Sequence, residues 1–264
     1  MKKILILGAS GFVGRKLYEK LTKHPLCYVT GTYYTKAVHE LAYVNLLNDS
    51  SVKWIIAKTN PDIIIWAVKD MPSERDLITI GLKNVLKYSS VKCKMVYLST
   101  NVFNGGKGSY KEHDQPDYLC QGHHADDYVI TKLLGEKMIK QRANYVILRP
   151  GVIFGKDFQG NWDSRISKMI NNVFDHKYIK VSKRRIATWV DIDDLICTII
   201  RIIEDNFTGI IHVGTVEKTT GYDMNMYLAR KLNLDTKYIL PLETDEIKQN
   251  DDSYDLSLYK ATFM

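Results

Sequence analysis

The sequence predicts an α/β fold in which a doubly wound parallel sheet is accompanied by a small C-terminal lobe. A glycine-rich turn directly follows the first apolar run, at residues 8–14. Short apolar runs then alternate with helical patterns through three successive units, which is typical of parallel α/β sheets. The 264 residues, 45% of them hydrophobic, suffice for one large domain with a small appended lobe.

The N-terminal stretch predicts a dinucleotide-binding site. Residues 2–7 form a nearly continuous apolar run, as expected for a strand buried on both faces. The spacing G-x-x-G-x-x-G at Gly8, Gly11 and Gly14 gives a sharp turn, a close approach to pyrophosphate and tight helix packing. A helix over residues 11–21 points its N-terminus at the phosphates. The residues expected to contact the cofactor here are Gly8, Ser10, Gly11, Phe12, Val13 and Gly14.

The end of the second predicted strand, residues 28–34, bears on the choice of cofactor. Sites selective for NAD often carry Asp or Glu near this point to bind the ribose 2′-hydroxyl. This chain has Thr32, Tyr33 and Tyr34 instead, followed by Lys36. The pattern therefore favours NADPH over NADH, unless Lys36 is simply a solvated loop residue.

The following elements continue the alternation. We predict strands over residues 44–46, 61–68 and 94–98, with helices over residues 50–59 and 75–88 between them. Because ligands lie beyond the carboxyl ends of strands in open α/β sheets, Gly8, Val68, Ser99 and Thr100 should converge on one crevice.

A reactive pair begins the next helix, which runs from residue 127 through residue 139. Tyr128 and Lys132 are four residues apart, so a helix places both on one face. An ammonium beside a phenol favours the phenolate and lowers the tyrosine pKa from about 10, which suits proton exchange near neutral pH. A tyrosine beside a solvated lysine is the plain alternative, but the glycine turn and the Ser99-Thr100 strand end favour catalysis.

Together these motifs resemble the extended short-chain dehydrogenase/reductase family, in particular its dTDP-4-dehydrorhamnose reductase branch, over nearly the whole chain. The segments that carry the resemblance are residues 8–14, 61–67, 99–105, Tyr128 with Lys132 and Gly135-Glu136, 148–155, 160–162, 189–195 and 209–213.

The resemblance implies a reaction and a set of site residues. NADPH would reduce C4 of a nucleotide-linked 4-keto-6-deoxy sugar, Tyr128 would protonate the oxygen, Lys132 would bind the nicotinamide ribose, and Thr100 or Ser99 would orient the keto group. Further cofactor contacts are expected from Asn45, Leu46, Ala67, Val68, Lys69, Pro150 and Val152. Substrate contacts are expected from Thr100, Asn101, Val102, Phe103, Tyr128, Asn161, Trp162 and Trp189.

The chain departs from the family pattern at three points. The family usually has one more residue between Ser-Thr and Val-Phe, so alignment selects either Thr100 or Ser99, and we favour Thr100. Trp66 stands where the branch usually has Asn, and Val152 replaces a tryptophan that would stack on the sugar. The nucleotide, the sugar and the stereochemistry of the product stay open.

Two domains are expected. Residues 1–151 form the Rossmann core, to which later strands from about 186–215 return, and residues 152–264 form a mainly substrate-binding, discontinuous lobe. Asp191, Asp193 and Asp194 are expected to cap a helix over residues 195–204. A helix over residues 222–232, a strand over 238–242 and a polar flap over 245–255 complete the prediction.

Composition argues against several other classes of protein. The four cysteines form no C-x-x-C pair, and His123, His124, Asp126 and Asp127 resemble a solvated helix start more than a metal site, so no metal is expected. No apolar run reaches the ~18 residues of a membrane helix. The net charge of +7 suits an anionic nucleotide, and no nucleic-acid-binding motif accompanies it. We therefore expect a cytoplasmic protein with a nucleotide-diphosphate sugar substrate and reduced thiols, and a homodimer is compatible with the sequence.

Two alternatives remain. One is a sugar-nucleotide epimerase or dehydratase that retains NAD, although dehydratases commonly carry an acidic residue where this chain has Asn101. The other is a non-catalytic regulatory subunit that binds NADP. The presence of both Tyr128 and Lys132 argues against the second alternative.

Overall fold

The computed structural model describes residues 1–100, 108–114, 124–184, 186–215, 217–242 and 255–256. The chain divides into two compact units. The first consists of Met1–Thr100, Asp127–Arg149 and Ile196–Ile211. The second consists of Asn101–Asp126, Pro150–Leu195 and His212–Met264.

A seven-stranded sheet runs through the first unit, in the order β11-β6-β5-β4-β1-β2-β3. Its strands are β1 (Lys2–Leu7), β2 (Cys27–Tyr33), β3 (Ala42–Tyr43), β4 (Ile63–Trp66), β5 (Lys94–Leu98), β6 (Tyr145–Pro150) and β11 (Gly209–Val213). Neighbours from β3 to β6 pair in parallel. The order reverses between β1 and β4, the point at which doubly wound sheets bind ligands. The predicted fold class is confirmed.

The central strands are buried on both faces, as their unbroken apolar runs predict. Residues 4–7 of β1, all of β4 and all of β5 are buried. The register pairs Ile4 with both Val29 and Ile63, so β1 lies at the middle of the core. The helices of this unit are α1 (Phe12–Leu21), α2 (Asp49–Thr59), α3 (Glu74–Asp76), α4 (Lys83–Tyr88) and α5 (His124–Ile139).

The third strand lies two residues earlier than the predicted 44–46. Strand β3 covers Ala42–Tyr43, and the Val44 N–H adds one more hydrogen bond to the Tyr33 carbonyl. The chain then turns because the Asn45 side chain accepts the Leu47 N–H at 3.0 Å. Such an Asx turn competes with strand pairing.

The helix predicted over residues 75–88 is irregular. It begins with a 3₁₀ turn at Met71–Ser73, continues through α3, widens to a π-helix over Leu77–Leu82 and ends as α4. Gly81 lies in the widened turn, where a Cβ would stand 3.2 Å from Leu46 Cβ. Propensity over this stretch gave no indication of the widening.

Among its described residues, the second unit contains short strands and two whole α-helices. Its strands are β7 (Val152–Phe154), β8 (Ile179–Ser182), β9 (Ile186–Ala187), β10 (Trp189–Asp191), β12 (Thr219–Thr220), β13 (Ile239–Leu242) and β14 (Asp255–Leu256). Of the strands predicted within 186–215, β11 joins the large sheet, whereas β10 pairs with β7 and β9 with β12 and β14.

Helices α6 (Ser164–Phe174) and α8 (Gly221–Lys231) pack around a separate core of this unit, built on Ile166, Met169 and Leu228. Helix α7 (Ile192–Glu204) begins three residues before the predicted 195, and Asp191 caps it by accepting the Asp193 N–H at 2.8 Å. The predicted flap at 245–255 lies almost wholly outside the described residues.

Across the described part of the chain, no helix combines the length and apolarity needed to cross a membrane.

Candidate active site

The glycine turn after β1 is pressed against the loop after β4. Gly8 has φ +83°, and a Cβ on it would stand 2.9 Å from the Ala67 carbonyl oxygen. A Cβ on Gly14 would come within 2.2 Å of the Gly8 carbonyl oxygen. Both positions therefore require glycine, one for backbone conformation and close approach and the other for close approach alone.

Helix α1 begins directly after this turn with Gly11 as its N-cap. Among the described residues, no side chain caps this N-terminus. The first N–H groups of a helix have no partner within it, and they carry partial positive charge. Phe12, Val13 and Gly14, which were predicted as cofactor contacts together with Ser10, form the first turn of this helix.

Thr32 supports the glycine turn from β2. Its hydroxyl accepts the Gly8 N–H and donates to the Ile6 carbonyl, both at 3.3 Å, and the residue is buried. Through these two hydrogen bonds Thr32 fixes the conformation of the glycine turn. The contact of Thr32 with a cofactor stays a prediction.

Tyr33 and Tyr34 form an aromatic cluster with Tyr43. The ring centroid of Tyr43 lies 5.7 Å from that of Tyr33 and 6.0 Å from that of Tyr34. Tyr34 and Tyr43 are about half exposed, and Lys36 is exposed. The cluster places open aromatic surface, without a carboxylate, at the end of β2.

Asn45 and Leu46 follow β3. Besides forming its Asx turn, Asn45 donates its backbone N–H to the Ser51 hydroxyl oxygen at 3.1 Å. The Leu46 side chain is buried in the core that contains Trp66, and its carbonyl accepts the Asn84 amide at 3.1 Å. The contact of Leu46 with a cofactor stays a prediction.

Tyr128 and Lys132 lie together on α5, as their spacing predicts. The Lys132 ammonium lies 5.7 Å from the ring centroid of Tyr128 and 3.4 Å from the Val68 carbonyl oxygen. The Lys69 ammonium also lies over the Tyr128 ring, 5.4 Å from the ring centroid. Helix α5 can approach β5 here because Gly135 faces Tyr97, where a Cβ would stand 2.2 Å from the Tyr97 hydroxyl.

Glu74 is a site residue that sequence reasoning missed. Its Oε1 lies 2.7 Å from Lys132 Nζ, with both side chains at most 4% exposed. Its Oε2 accepts the Asp70 N–H at 3.0 Å. Glu74 thus joins the lysine to the loop after β4, and no spacing in the sequence relates positions 74 and 132.

The direction of the Tyr128 pKa corrects a prediction. We expected Lys132 to lower it, but burial raises the Tyr128 pKa well above its usual value, and the Glu74 carboxylate raises it further. Burial lowers the pKa of Lys132, and Glu74 opposes that change. The tyrosine is therefore a protonated phenol at neutral pH.

Ser99 and Thr100 follow β5, and both are buried. The Ser99 hydroxyl donates to Glu136 Oε1 at 2.5 Å. Arg149 binds the same carboxylate through Nε at 2.9 Å and Nη2 at 2.6 Å. Since Ser99 is held by this carboxylate, Thr100 stays our prediction for the hydroxyl that orients a substrate.

Comparison with known proteins identifies the family of this chain. The family described as RmlD substrate binding domain matches residues 1–253. The chain belongs to the RmlD substrate-binding-domain family. This confirms the resemblance to the dTDP-4-dehydrorhamnose reductase branch at the level of the family.

Two solved structures and one curated protein are similar to this chain. A hypothetical dTDP-4-dehydrorhamnose reductase from Sulfolobus tokodaii has a TM-score of 0.81 at 24% identity and covers 97% of this chain and 92% of its own. A Bacillus anthracis dTDP-4-dehydrorhamnose reductase in complex with NADP has a TM-score of 0.79 at 24% identity, covering 99% and 91%. Methionine adenosyltransferase 2 subunit beta of Xenopus tropicalis is 28% identical over 93% of this chain and 76% of its own length.

In this RmlD-family chain, Pro150 ends β6 and Val152 begins β7. The Val152 N–H donates to the Thr188 carbonyl at 2.9 Å. Between them, a Cβ on Gly151 would stand 2.5 Å from the Thr188 carbonyl oxygen, so this position requires glycine.

The predicted substrate residues Asn161 and Trp162 lie in the second unit, in a turn organised by Asp157. The Asn161 amide donates to Asp157 Oδ2 at 3.3 Å, and its N–H donates to Oδ1 at 2.9 Å. The Lys156 ammonium lies 5.0 Å from the Trp162 ring centroid.

Trp189 packs against Phe154 in the core of the same unit, with centroids 6.2 Å apart. Its buried Nε1 has no hydrogen-bond partner among the described residues. The remaining predicted substrate residues, Asn101, Val102 and Phe103, lie outside the described residues.

In the described part of the chain, no group of three or more His, Cys, Asp or Glu side chains is placed to hold a metal ion. His123 and the side chains of His124 and Asp126 fall outside that part.

Proposed function

We propose that the protein is an NADPH-dependent reductase of a nucleotide-linked 4-keto-6-deoxy sugar. The observation that carries this proposal is the continuity of the site in the first unit. Gly8 abuts the Ala67 carbonyl, the adjacent Val68 carbonyl lies 3.4 Å from Lys132 Nζ, and Lys132 lies beside Tyr128. The glycine turn that would bind pyrophosphate and the Tyr128–Lys132 pair that would donate a proton therefore both contact the loop after β4.

The residues present fit a nicotinamide dinucleotide. The glycine turn leaves no room for side chains, and the N-terminus of α1 offers N–H groups to phosphate. In this proposal the turn and α1 hold the pyrophosphate, the loop after β4 lies along the cofactor, and Lys132 binds the ribose. The cofactor would supply the hydride.

The end of β2 supports NADPH over NADH. Thr32, Tyr33 and Tyr34 contribute no carboxylate that would repel a 2′-phosphate, and Lys36 nearby is cationic and exposed. The half-exposed rings of Tyr34 and Tyr43 offer apolar surface to an adenine.

Tyr128 would act as the proton donor. Reduction of a ketone adds hydride to carbon and a proton to oxygen, so the acid must hold its proton at the working pH. Tyr128 satisfies this condition because its raised pKa keeps the phenol protonated, at the cost of making it a weaker acid than one with a pKa near neutral. Thr100 would donate a hydrogen bond to the same oxygen, and Asn161 and Trp162 would contact the sugar nucleotide, as the family resemblance implies.

The test is a titration followed by turnover. NADPH and NADH are titrated by fluorescence, and dTDP-, UDP-, GDP- and CDP-linked 4-keto-6-deoxy sugars are then added. We expect NADPH oxidation with one sugar nucleotide and a loss of about 10²–10⁴-fold in kcat for Tyr128→Phe. Tyr28→Phe is the matched control, since this exposed tyrosine lies at the amino end of β2.

The proposal fails if the protein binds NADPH but oxidises it with none of these substrates, or if Tyr128→Phe retains full activity. If neither NADPH nor NADH binds, the prediction of a dinucleotide-binding site at the glycine turn is itself wrong.

A second candidate is a regulatory subunit that binds NADP without turnover. It is favoured by the name of the Xenopus tropicalis relative, methionine adenosyltransferase 2 subunit beta, which matches 93% of this chain. Under this alternative the protein would co-elute with a methionine adenosyltransferase and change its activity, and Tyr128→Phe would leave both effects intact.

A further inference from the structure

The Glu74 carboxylate lies in a position where a charge is costly without a partner. Glu74 is the first residue of α3 and is 3% exposed. Its two oxygens have different partners, since Oε1 meets the Lys132 ammonium at 2.7 Å and Oε2 accepts the Asp70 N–H at 3.0 Å. A buried carboxylate is tolerated when it is paired and hydrogen-bonded in this way.

Lys132 depends on the same contact. Its side chain is 2% exposed, and burial favours the neutral amine, so its pKa is lowered. Glu74 is the group that opposes this change. Glu74 therefore stabilises the cationic form of Lys132, the form that would bind a ribose hydroxyl.

Glu74 raises the pKa of Tyr128, whereas a neighbouring lysine on its own would lower it. The ammonium lies 5.7 Å from the Tyr128 ring centroid while it binds Glu74 at 2.7 Å. The carboxylate reinforces burial in raising the Tyr128 pKa. Negative charge at Glu74 thus opposes formation of a phenolate.

The other ionisable groups around this cluster come from three elements. Lys69 follows β4, Tyr97 belongs to β5, and Glu136 follows Lys132 by one turn of α5. Arg75 and Asp127 form an exposed pair with each other at 3.0 Å. Lys69 also lies near Lys132, whose pKa it lowers.

We propose that Glu74 is a positioning residue of the Tyr128–Lys132 site, the counter-ion that keeps Lys132 charged and keeps Tyr128 a proton donor. This inference rests on the proposed function for its meaning in catalysis. The charge states themselves can be measured without cofactor or substrate. A protonated Tyr128 phenol beside the charged, Glu74-paired Lys132 would give its proton to a forming alkoxide, which is the stronger base.

The experiment follows the two side chains by NMR in the full-length protein. Tyrosine is labelled with ¹³C at Cζ and lysine with ¹⁵N at Nζ, and the signals of Tyr128 and Lys132 are assigned from Tyr128→Phe and Lys132→Met. In Glu74→Gln we expect both residues to lose their protons at a pH lower by about one unit or more. Asp76→Asn is the matched control, because it removes one negative charge from an exposed position on the same short helix.

Glu74→Asp tests the same point if the glutamine variant does not fold. It keeps the charge but shortens the reach, so both titrations should move in the same direction by a smaller amount. Unchanged titration of either Tyr128 or Lys132 in the folded variant overturns the proposal, as does an equal shift in Asp76→Asn. Altered titrations in a protein that reduces no substrate would uphold the role of Glu74 and contradict the proposed function alone.

In an active enzyme the same variants distinguish a positioning role of Glu74 from a purely structural role. Glu74→Gln should move the pH profile of kcat to lower pH, whereas a purely structural role would lower activity equally at every pH. Glu74→Asp should restore most of the wild-type profile.

Discussion

Two buried ion pairs on successive turns of α5 differ in the number of contacts that hold them. Lys132 pairs with Glu74 and Glu136 pairs with Arg149, and all four side chains are at most 4% exposed. Arg149 binds Glu136 through two N–H groups, and the Ser99 hydroxyl donates to the same carboxylate. Lys132 reaches Glu74 through one contact and lies beside Tyr128.

The difference shows how one helix can combine a fixed support with an adjustable site. A planar guanidinium bound at two points holds a carboxylate in one orientation. An ammonium on a flexible stem is a point charge that can serve a second partner such as a ribose hydroxyl. We therefore expect the Glu136–Arg149 pair to govern stability and the Glu74–Lys132 pair to govern protonation.

The largest expected effect comes from breaking the Glu136–Arg149 pair. Arg149→Met leaves a buried carboxylate without its bidentate partner and should lower the free energy of unfolding by about 3–5 kcal/mol. Urea denaturation measures the loss. Lys140→Met is the control, since Lys140 lies 4.0 Å from Glu136 at a partly exposed position and should contribute less than about 1 kcal/mol. Similar losses in the two variants would contradict a supporting role specific to Arg149.

A smaller effect separates the two hydroxyls at the end of β5. Ser99→Ala removes one donor to Glu136 and should lower the free energy of unfolding by about 1–2 kcal/mol, with activity largely retained. Thr100→Ala should instead lower kcat by about 10-fold or more, because we assign it the hydrogen bond to the keto oxygen. Urea denaturation and steady-state kinetics of both variants decide the assignment. The reverse pattern would make Ser99 the substrate-binding hydroxyl.

The sequence predicted the first unit well because its signals are local. The apolar run before Gly8, the glycine spacing and the i, i+4 pair of Tyr128 and Lys132 each follow from neighbouring residues, and the structure places them as expected. The third strand was displaced because the Asn45 side chain, not the apolar pattern, ends the pairing.

The charge partners could not be read from the sequence because they are far apart along the chain. Glu74 lies 58 positions before Lys132 and meets it only in the folded chain, across the 2.7 Å contact between the two side chains. Without Glu74 the usual effect of a lysine on a tyrosine suggested a lowered Tyr128 pKa, whereas burial and the carboxylate raise it. Glu136 and Arg149 were noted only as parts of family motifs, and their mutual contact emerged from the structure.

The smallest effect concerns the proton of Tyr128, the residue beside the Glu74–Lys132 pair. The pKa of Tyr128 is higher in the folded protein than the value of about 10 expected in the unfolded chain, since burial and Glu74 raise it. Above about pH 10 the unfolded chain loses this proton while the folded protein retains it, so stability falls as pH rises, and below pH 10 the contribution is constant. Relative to Tyr128→Phe, wild type should lose about 0.8 kcal/mol at about pH 10.5, measured by urea denaturation. As long as the folded-state pKa stays well above pH 10.5, this loss depends on the unfolded chain, so it should persist in both Ser99→Ala and Glu74→Gln backgrounds. Absence of the loss in wild type would contradict the raised pKa of Tyr128.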